Sequence, residues 1–202
     1  MFYSVKGTLT HVEPGLAVIE CGGVGFKCMT TMNTQRGLPK LGEQAMLYTH
    51  LNVREDALDL FGFGSMAELN CFKMLTAVSG VGPKVGLAIL SELAPEQVAM
   101  AVASGDSRTL SRANGVGPKL AQRIALELKD KVKKMGVSGG DAVFVQAGAV
   151  SASSNAQNAV SALAVLGYAP TDAAAVVSKF DSSLPTEELI RLSLREMGSS
   201  LR

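Results

Sequence analysis

A five-residue segment occurs twice in this chain of 202 residues, as Gly80-Val-Gly-Pro-Lys84 and again as Gly115-Val-Gly-Pro-Lys119. Aligning residues 78–93 with 113–128, an offset of 35, gives eight identities in sixteen positions. In each copy the two glycines permit a tight turn, and the proline falls at a first helical position, where its missing N–H is no loss. Such a turn aims free backbone amides and the positive end of a helix dipole at one spot, an arrangement that suits a phosphate group. The repeat therefore predicts two helix-hairpin-helix units packed on each other, with two phosphate sites. Gly80, Gly82 and Lys84 form one, and Gly115, Gly117, Lys119 and Arg123 the other. Lys119 and Arg123 are four residues apart and share a helix face. A plainer reading makes the hairpins simple helix turns with Val81 and Val116 filling the core, but the duplication and the matched lysines favour anion binding. Phosphate contacts of this kind position a nucleic acid without reading its sequence.

Two other glycine-rich readings fail on spacing. Gly86 lies one place too late for a dinucleotide loop beginning at Gly80, and no phosphate-binding run ending in Gly-Lys-Ser or Gly-Lys-Thr is present. Gly86 falls inside a helix, where it costs about 1 kcal/mol relative to alanine, so close packing against a neighbouring helix is the expected reason for it.

The distribution of charge supports a polyanionic ligand where the total does not. The formal net charge is only +1, from 19 basic and 18 acidic residues. Residues 1–64 carry 5 basic and 6 acidic side chains, residues 65–136 carry 10 and 6, and residues 137–202 carry 4 and 6, giving −1, +4 and −2. The positive excess coincides with the repeat.

Before residue 64, short apolar segments rich in β-branched and aromatic residues alternate with turn residues. They predict strands at 3–9, 17–21, 24–30, 45–53 and 58–63, with hairpin turns at Glu13-Pro-Gly15 and Gly22-Gly23. Five strands at this length fit an OB-like barrel. Ser65 followed by Glu68 is a capping-box pattern, and it opens a helical segment. Another helix opens near Pro95, and Gly105-Asp106 ends one helix and caps the next. From Gly136 to about Asn155 the chain is mostly Gly, Ser, Ala and Val, with Phe144, Gln146 and the single charge Asp141, which reads as a flexible tether. Three short helices follow, packed around Leu163, Leu166, Val176, Phe180, Leu189 and Leu192. The fold class is α+β multidomain: a five-stranded OB-like barrel over 1–64, a tandem helix-hairpin-helix domain over 65–136, a linker over 137–154 and a three-helix, UBA-like domain over 155–202.

Glu55 and Asp56 sit between two predicted strands and project from a turn. Alone they are a solvated loop; beside phosphate sites, paired carboxylates repel approaching strands and serve as a pin that separates rather than cuts. The lysines at 129, 131, 133 and 134 end a long helix, where cations complement its dipole. Cys21, Cys28 and Cys71 form no paired framework and no metal-ligand spacing with His11 or His50, so they read as small apolar residues in a reducing compartment. No cofactor and no metal site is expected. Neither a secretory signal nor a membrane-length apolar run is found, and a soluble, cytoplasmic protein is expected.

Taken together, Arg54-Glu-Asp-Ala57, Leu60-Phe-Gly-Phe63, Val78-Ser-Gly-Val-Gly-Pro-Lys84, Gly115-Val-Gly-Pro-Lys119 and Leu126-Glu-Leu-Lys-Asp130 resemble the RuvA family of bacterial Holliday-junction-binding proteins, in order and along the whole chain. Gly86 departs from the alanine usual there. The resemblance implies a homotetramer, singly or as two tetramers per junction, holding an open four-way DNA junction with Glu55 and Asp56 as the pin. It also implies that the terminal domain docks on the hexameric ATPase RuvB and that the nuclease RuvC is a further partner. Leu166 and Tyr168 read first as core of that domain, but a small domain on a tether leaves some apolar surface for a partner, which makes the pair candidate motor contacts. The chain itself is then a non-catalytic subunit in recombination and repair. Two other classes compete. A helix-hairpin-helix glycosylase or nuclease needs a nucleophile or metal-binding acids near the hairpins, and Asp130, among lysines, is the nearest acid. A general adaptor would act mainly through its last domain.

Overall fold

The computed structural model describes residues 2–137 and 153–199. Strands β1 (Ser4–Glu13), β2 (Leu16–Cys21), β3 (Val24–Thr30), β4 (Gln44–Val53) and β5 (Leu58–Phe63) close into a barrel in the order β1-β2-β3-β5-β4. All pairings are antiparallel except β3 with β5, which is parallel and seals the barrel. Positive φ at Gly15, Gly22 and Gly23 makes both expected hairpin turns. Alternate residues point inward, so Val5, Leu9, Ala17, Ile19, Cys28, Ala45 and Leu47 form the barrel core. Burial pushes the Cys28 thiol up to about 12, with Cys21 nearby adding to the rise, and this keeps it protonated and inert. One helix was not foreseen. Helix α1 (Met32–Arg36) bridges β3 and β4, capped by the Thr31 hydroxyl, which accepts from the Thr34 amide at 2.9 Å.

Five helices follow: α2 (Met66–Thr76), α3 (Pro83–Glu92), α4 (Pro95–Ser104), α5 (Ser107–Leu110) and α6 (Pro118–Val137). Gly105, at φ 76°, ends α4, and the Asp106 carboxylate caps α5 by accepting from the amides of Arg108 and Thr109. Phe72 on α2 is wholly buried and joins the barrel to the helices. Its ring lies 5.1 Å from that of Phe61 and 4.9 Å from that of Phe63, both on β5, and 5.7 Å from the imidazole of His50. On its other side stands Gly86 of α3, where an added Cβ would come within 3.1 Å of the Phe72 ring and 3.2 Å of Thr76 Cγ2. The helix-interior glycine is thus explained by close packing, as expected.

The capping box at the start of α2 is only half made. Ser65 Oγ accepts from the Glu68 amide at 3.1 Å, but the Glu68 carboxylate does not return to Ser65. It turns to α1 and accepts from the hydroxyls of Thr31 and Thr34, the latter at 2.5 Å. Thr34 Oγ1 in turn accepts from the Gly64 amide at 2.9 Å. This buried network ties α1 to the start of α2. Burial raises the Glu68 pKa above its ordinary value, although the hydroxyl hydrogen bonds pull it back down. A group whose pKa is higher in the folded than in the unfolded state stabilises the fold fully below the unfolded value. That contribution is lost as pH rises through the folded value. Glu68→Gln removes this titration. Denaturant melts over a pH series from 4.5 upward are expected to show the variant gaining on the wild type as pH rises, and identical pH slopes would refute the assignment.

Helices α7 (Ser153–Val165), α8 (Pro170–Val177) and α9 (Thr186–Ser199) pack on one another. Leu163, Leu166, Ala173, Val177, Leu189 and Ile190 are buried, while Val176 and Phe180 are partly so. In addition α7 and α9 lie against α4, and the apolar core runs on from one group of helices to the other. The expected tether falls almost wholly outside the described residues. Among the described residues no single helix is long and apolar enough to cross a membrane.

Candidate nucleic-acid interface

The two hairpins have the same construction. Val81 N–H donates to Val78 O at 3.0 Å, and Val116 N–H donates to Ala113 O at 3.1 Å. The first intrahelical bonds are Gly86 N–H to Gly82 O at 3.0 Å and Ala121 N–H to Gly117 O at 2.9 Å. Gly80 and Gly115 take φ of 88° and 81°, values that favour glycine, whereas Gly82 sits in extended backbone as the N-cap of α3. Val81 and Val116 are buried, so each turn is anchored by its valine while its glycines stay outside. The core-filling role of the valines and the exposure of the glycines coexist. Nothing lies within 4 Å of a Cβ built on Gly82, Gly115 or Gly117. Lys84, Lys119 and Arg123 are exposed beside these turns, and among the described residues neither lysine makes an ion pair. Each turn thus presents open main chain, a helix start and a cation to the same solvent, as a phosphate site requires.

Arg123 does something the sequence did not reveal. It extends from α6 toward the first hairpin, and its Nη1 donates to Ser79 O at 3.3 Å.

Glu55 and Asp56 occupy the tip of the β4–β5 hairpin. Arg54 and Ala57 close the turn with a pair of backbone hydrogen bonds of 2.9 and 3.4 Å, which leaves both carboxylates exposed. The Arg54 guanidinium is drawn back to Asp59 Oδ2 at 2.8 Å, away from the tip. Val53 and Leu58 face each other across the strands at the base of the turn, and both are largely exposed. The expected pin is therefore a short acidic turn closed by backbone hydrogen bonds.

Leu166 and Tyr168 stand differently from each other. Leu166 is wholly buried within the terminal helices and serves their core, so it presents no surface to a partner from this position. Tyr168 is half-buried, and burial raises its phenol pKa. Asp130 is exposed at the far part of α6. Among the described residues no three His, Cys, Asp or Glu side chains gather as a metal site would require.

The first 62 residues match a family model described as the RuvA N terminal domain. Residues 72–130 match one described as a SAM-like helix-hairpin-helix tandem, and residues 154–198 one described as the RuvA C-terminal domain. The chain is 40% identical over 201 residues to the Holliday junction branch migration complex subunit RuvA of Acetivibrio thermocellus, covering 98% of this chain and 99% of that one. This chain belongs to the RuvA family. Relatives of the same name in Vibrio vulnificus and Pseudomonas putida are 40% and 41% identical, with at least 98% of each chain covered. The three matches fall in order on the barrel, the hairpin-bearing helices and the terminal helices described above.

Proposed function

We propose that this chain is the junction-binding, non-catalytic subunit of a branch-migration complex. It holds a four-way DNA junction open and recruits the RuvB motor, whose ATP hydrolysis moves the branch point. The observation that carries the reading is the matched pair of hairpins, each with open main chain beside an exposed lysine, on a chain that also bears a stiff acidic tip. The relatives' name, branch migration complex subunit, supports it.

In this reading Gly80, Gly82, Gly115 and Gly117 offer amides to phosphates, and Lys84, Lys119 and Arg123 add charge. Four copies set eight hairpins against four duplex arms, two per arm, and place four pins at the crossover. One such tetramer, or two facing each other, encloses the junction. The barrel over 1–64 carries the pin, the helices over 65–136 grip the arms, and the terminal unit over 155–202 meets RuvB, with RuvC as a further partner. Half-buried Tyr168 remains a candidate contact there. The work is placed in the bacterial cytoplasm.

The test compares a four-way junction with linear duplex of equal length over a range of salt. Binding through phosphates predicts preference for the junction, little dependence on sequence and a steep loss of affinity with salt. For a protein making about six to ten phosphate contacts, that loss is roughly three orders of magnitude or more between 50 and 200 mM. Equal affinity for both DNAs, or base-specific binding indifferent to salt, would defeat the proposal. Replacing the pin acids, as Glu55→Ala with Asp56→Ala, is expected to keep or tighten junction binding by removing repulsion while altering motor-driven strand separation. A collapse of junction affinity would show that the acids are not repulsive elements.

A further inference from the structure

We infer that Arg123 is a positioning residue: from the helix of the second hairpin it holds the first hairpin in its DNA-receiving form. The inference rests on the reading that the hairpins grip DNA, and it adds that they are not equivalent.

Three observations lead to it. Arg123 Nη1 donates to the carbonyl of Ser79, 44 residues earlier in the chain. A Cβ built on Gly80 would stand 3.6 Å from the same Nη1 and 3.5 Å from Leu120 Cδ1, so the first hairpin rests on α6 through two side chains nearly one turn apart. Finally, the repeat is broken at this place. At the offset of 35, Arg123 corresponds to Ala88, which has no donor to return to the second hairpin.

The target of this bond matters. The Ser79 carbonyl and the Gly80 N–H belong to one planar peptide unit and point in opposite directions. A donor that holds the carbonyl therefore fixes where the amide aims, and by polarising the unit makes that N–H a better donor. Gly80, with φ of 88° and no side chain, is where such a peptide is otherwise freest to rotate. The guanidinium has five N–H groups and is exposed, so holding Ser79 leaves others for a phosphate. A lysine cannot do both as well, because its donors radiate from a single nitrogen.

The experiment uses the full chain with Arg123→Met and Arg123→Lys. Hydrogen–deuterium exchange without DNA reads the bracing directly. In Arg123→Met, exchange across residues 78–82 is expected to rise at least fivefold while residues 113–117 stay as in the wild type. Unchanged exchange in the first hairpin overturns the inference, and so does an equal rise in both hairpins, which would indicate general loosening. Junction titration supplies the second readout. Arg123→Lys keeps the charge, so a residue that merely neutralises a phosphate would be rescued to within twofold. The inference expects binding at least fivefold weaker with an unchanged salt slope, and full rescue overturns it. If the wild-type chain shows no preference for junctions, the functional reading fails separately, and the DNA-free exchange still decides the role of Arg123.

Discussion

Replacing Gly82 and Gly117 together by alanine is expected to lower four-way-junction affinity at least a hundredfold while leaving the fold close to wild-type stability. A hundredfold loss corresponds to about 2.7 kcal/mol. The reason for choosing these two glycines is that the backbone does not need them. Gly82 has φ of −80° and ψ of 170°, which alanine adopts readily, neither glycine has a positive φ, and a Cβ at either site meets nothing within 4 Å. Alanine is a poorer N-cap than glycine, at a cost of about 1 kcal/mol per site, and this is offset by the reduced freedom of the unfolded chain, roughly 0.4–1 kcal/mol per site. In the proposed function the space the methyl groups fill is the space through which a phosphate reaches the main chain, so the loss is expected to fall on binding. Gly80 and Gly115 would be worse probes, since alanine at φ near 85° carries strain of roughly 1–2 kcal/mol. A double variant that melts like the wild type and still binds the junction with wild-type affinity would remove the hairpins from the interface.

Phe72→Ala is expected to be the most damaging single substitution in the apolar core, costing about 3–5 kcal/mol in denaturant or thermal melts. The ring is wholly buried and touches elements that do not otherwise replace it: Phe61 and Phe63 on β5, His50 on β4 and Gly86 on α3. The void cannot be closed by a side chain at Gly86, and β5 is pinned in the barrel by partners on both edges. The surroundings therefore relax little, and the cost belongs at the upper part of the range. Phe72→Leu, which retains most of the volume, should recover much of the loss. A cost below about 1 kcal/mol for the alanine variant would mean that the contact between barrel and helices is not organised around this ring.

What the sequence made legible was local chemistry. The glycine turns, the ends of β2, β3 and β5, the Gly105-Asp106 boundary and the acidic tip are each decided by a few neighbouring residues, and they stand within a residue of where those residues placed them, whereas β1 runs on to Glu13, four residues past its expected end. Helix α1 was not legible because it has five residues and buries only Thr34, which leaves no apolar periodicity to detect. The destination of Glu68 was hidden for another reason. The pattern Ser65 to Glu68 announces a local cap, but Thr31 and Thr34, more than thirty residues away, offer two hydroxyl donors in a buried place, and the carboxylate goes to them. Leu166 illustrates the same limit, since an apolar residue near a turn reads alike whether it fills a core or faces a partner. The reach of Arg123 to Ser79 depends on how the two repeat units are packed, which neither unit encodes alone.

The aromatic seam described above also bears on how this molecule can be dissected. Phe61 and Phe63 belong to the last strand of the barrel by chain order, yet they share one apolar cluster with α2 and α3. A cut at the sequence boundary near residue 64 would leave one fragment with two bare phenyl rings and the other with the socket they came from. The acidic point and the two glycine elbows are thus not excisable modules. Barrel and helices are joined through a shared interior, and on the proposed function a nucleic acid held by the elbows would meet a tip carried on that same core.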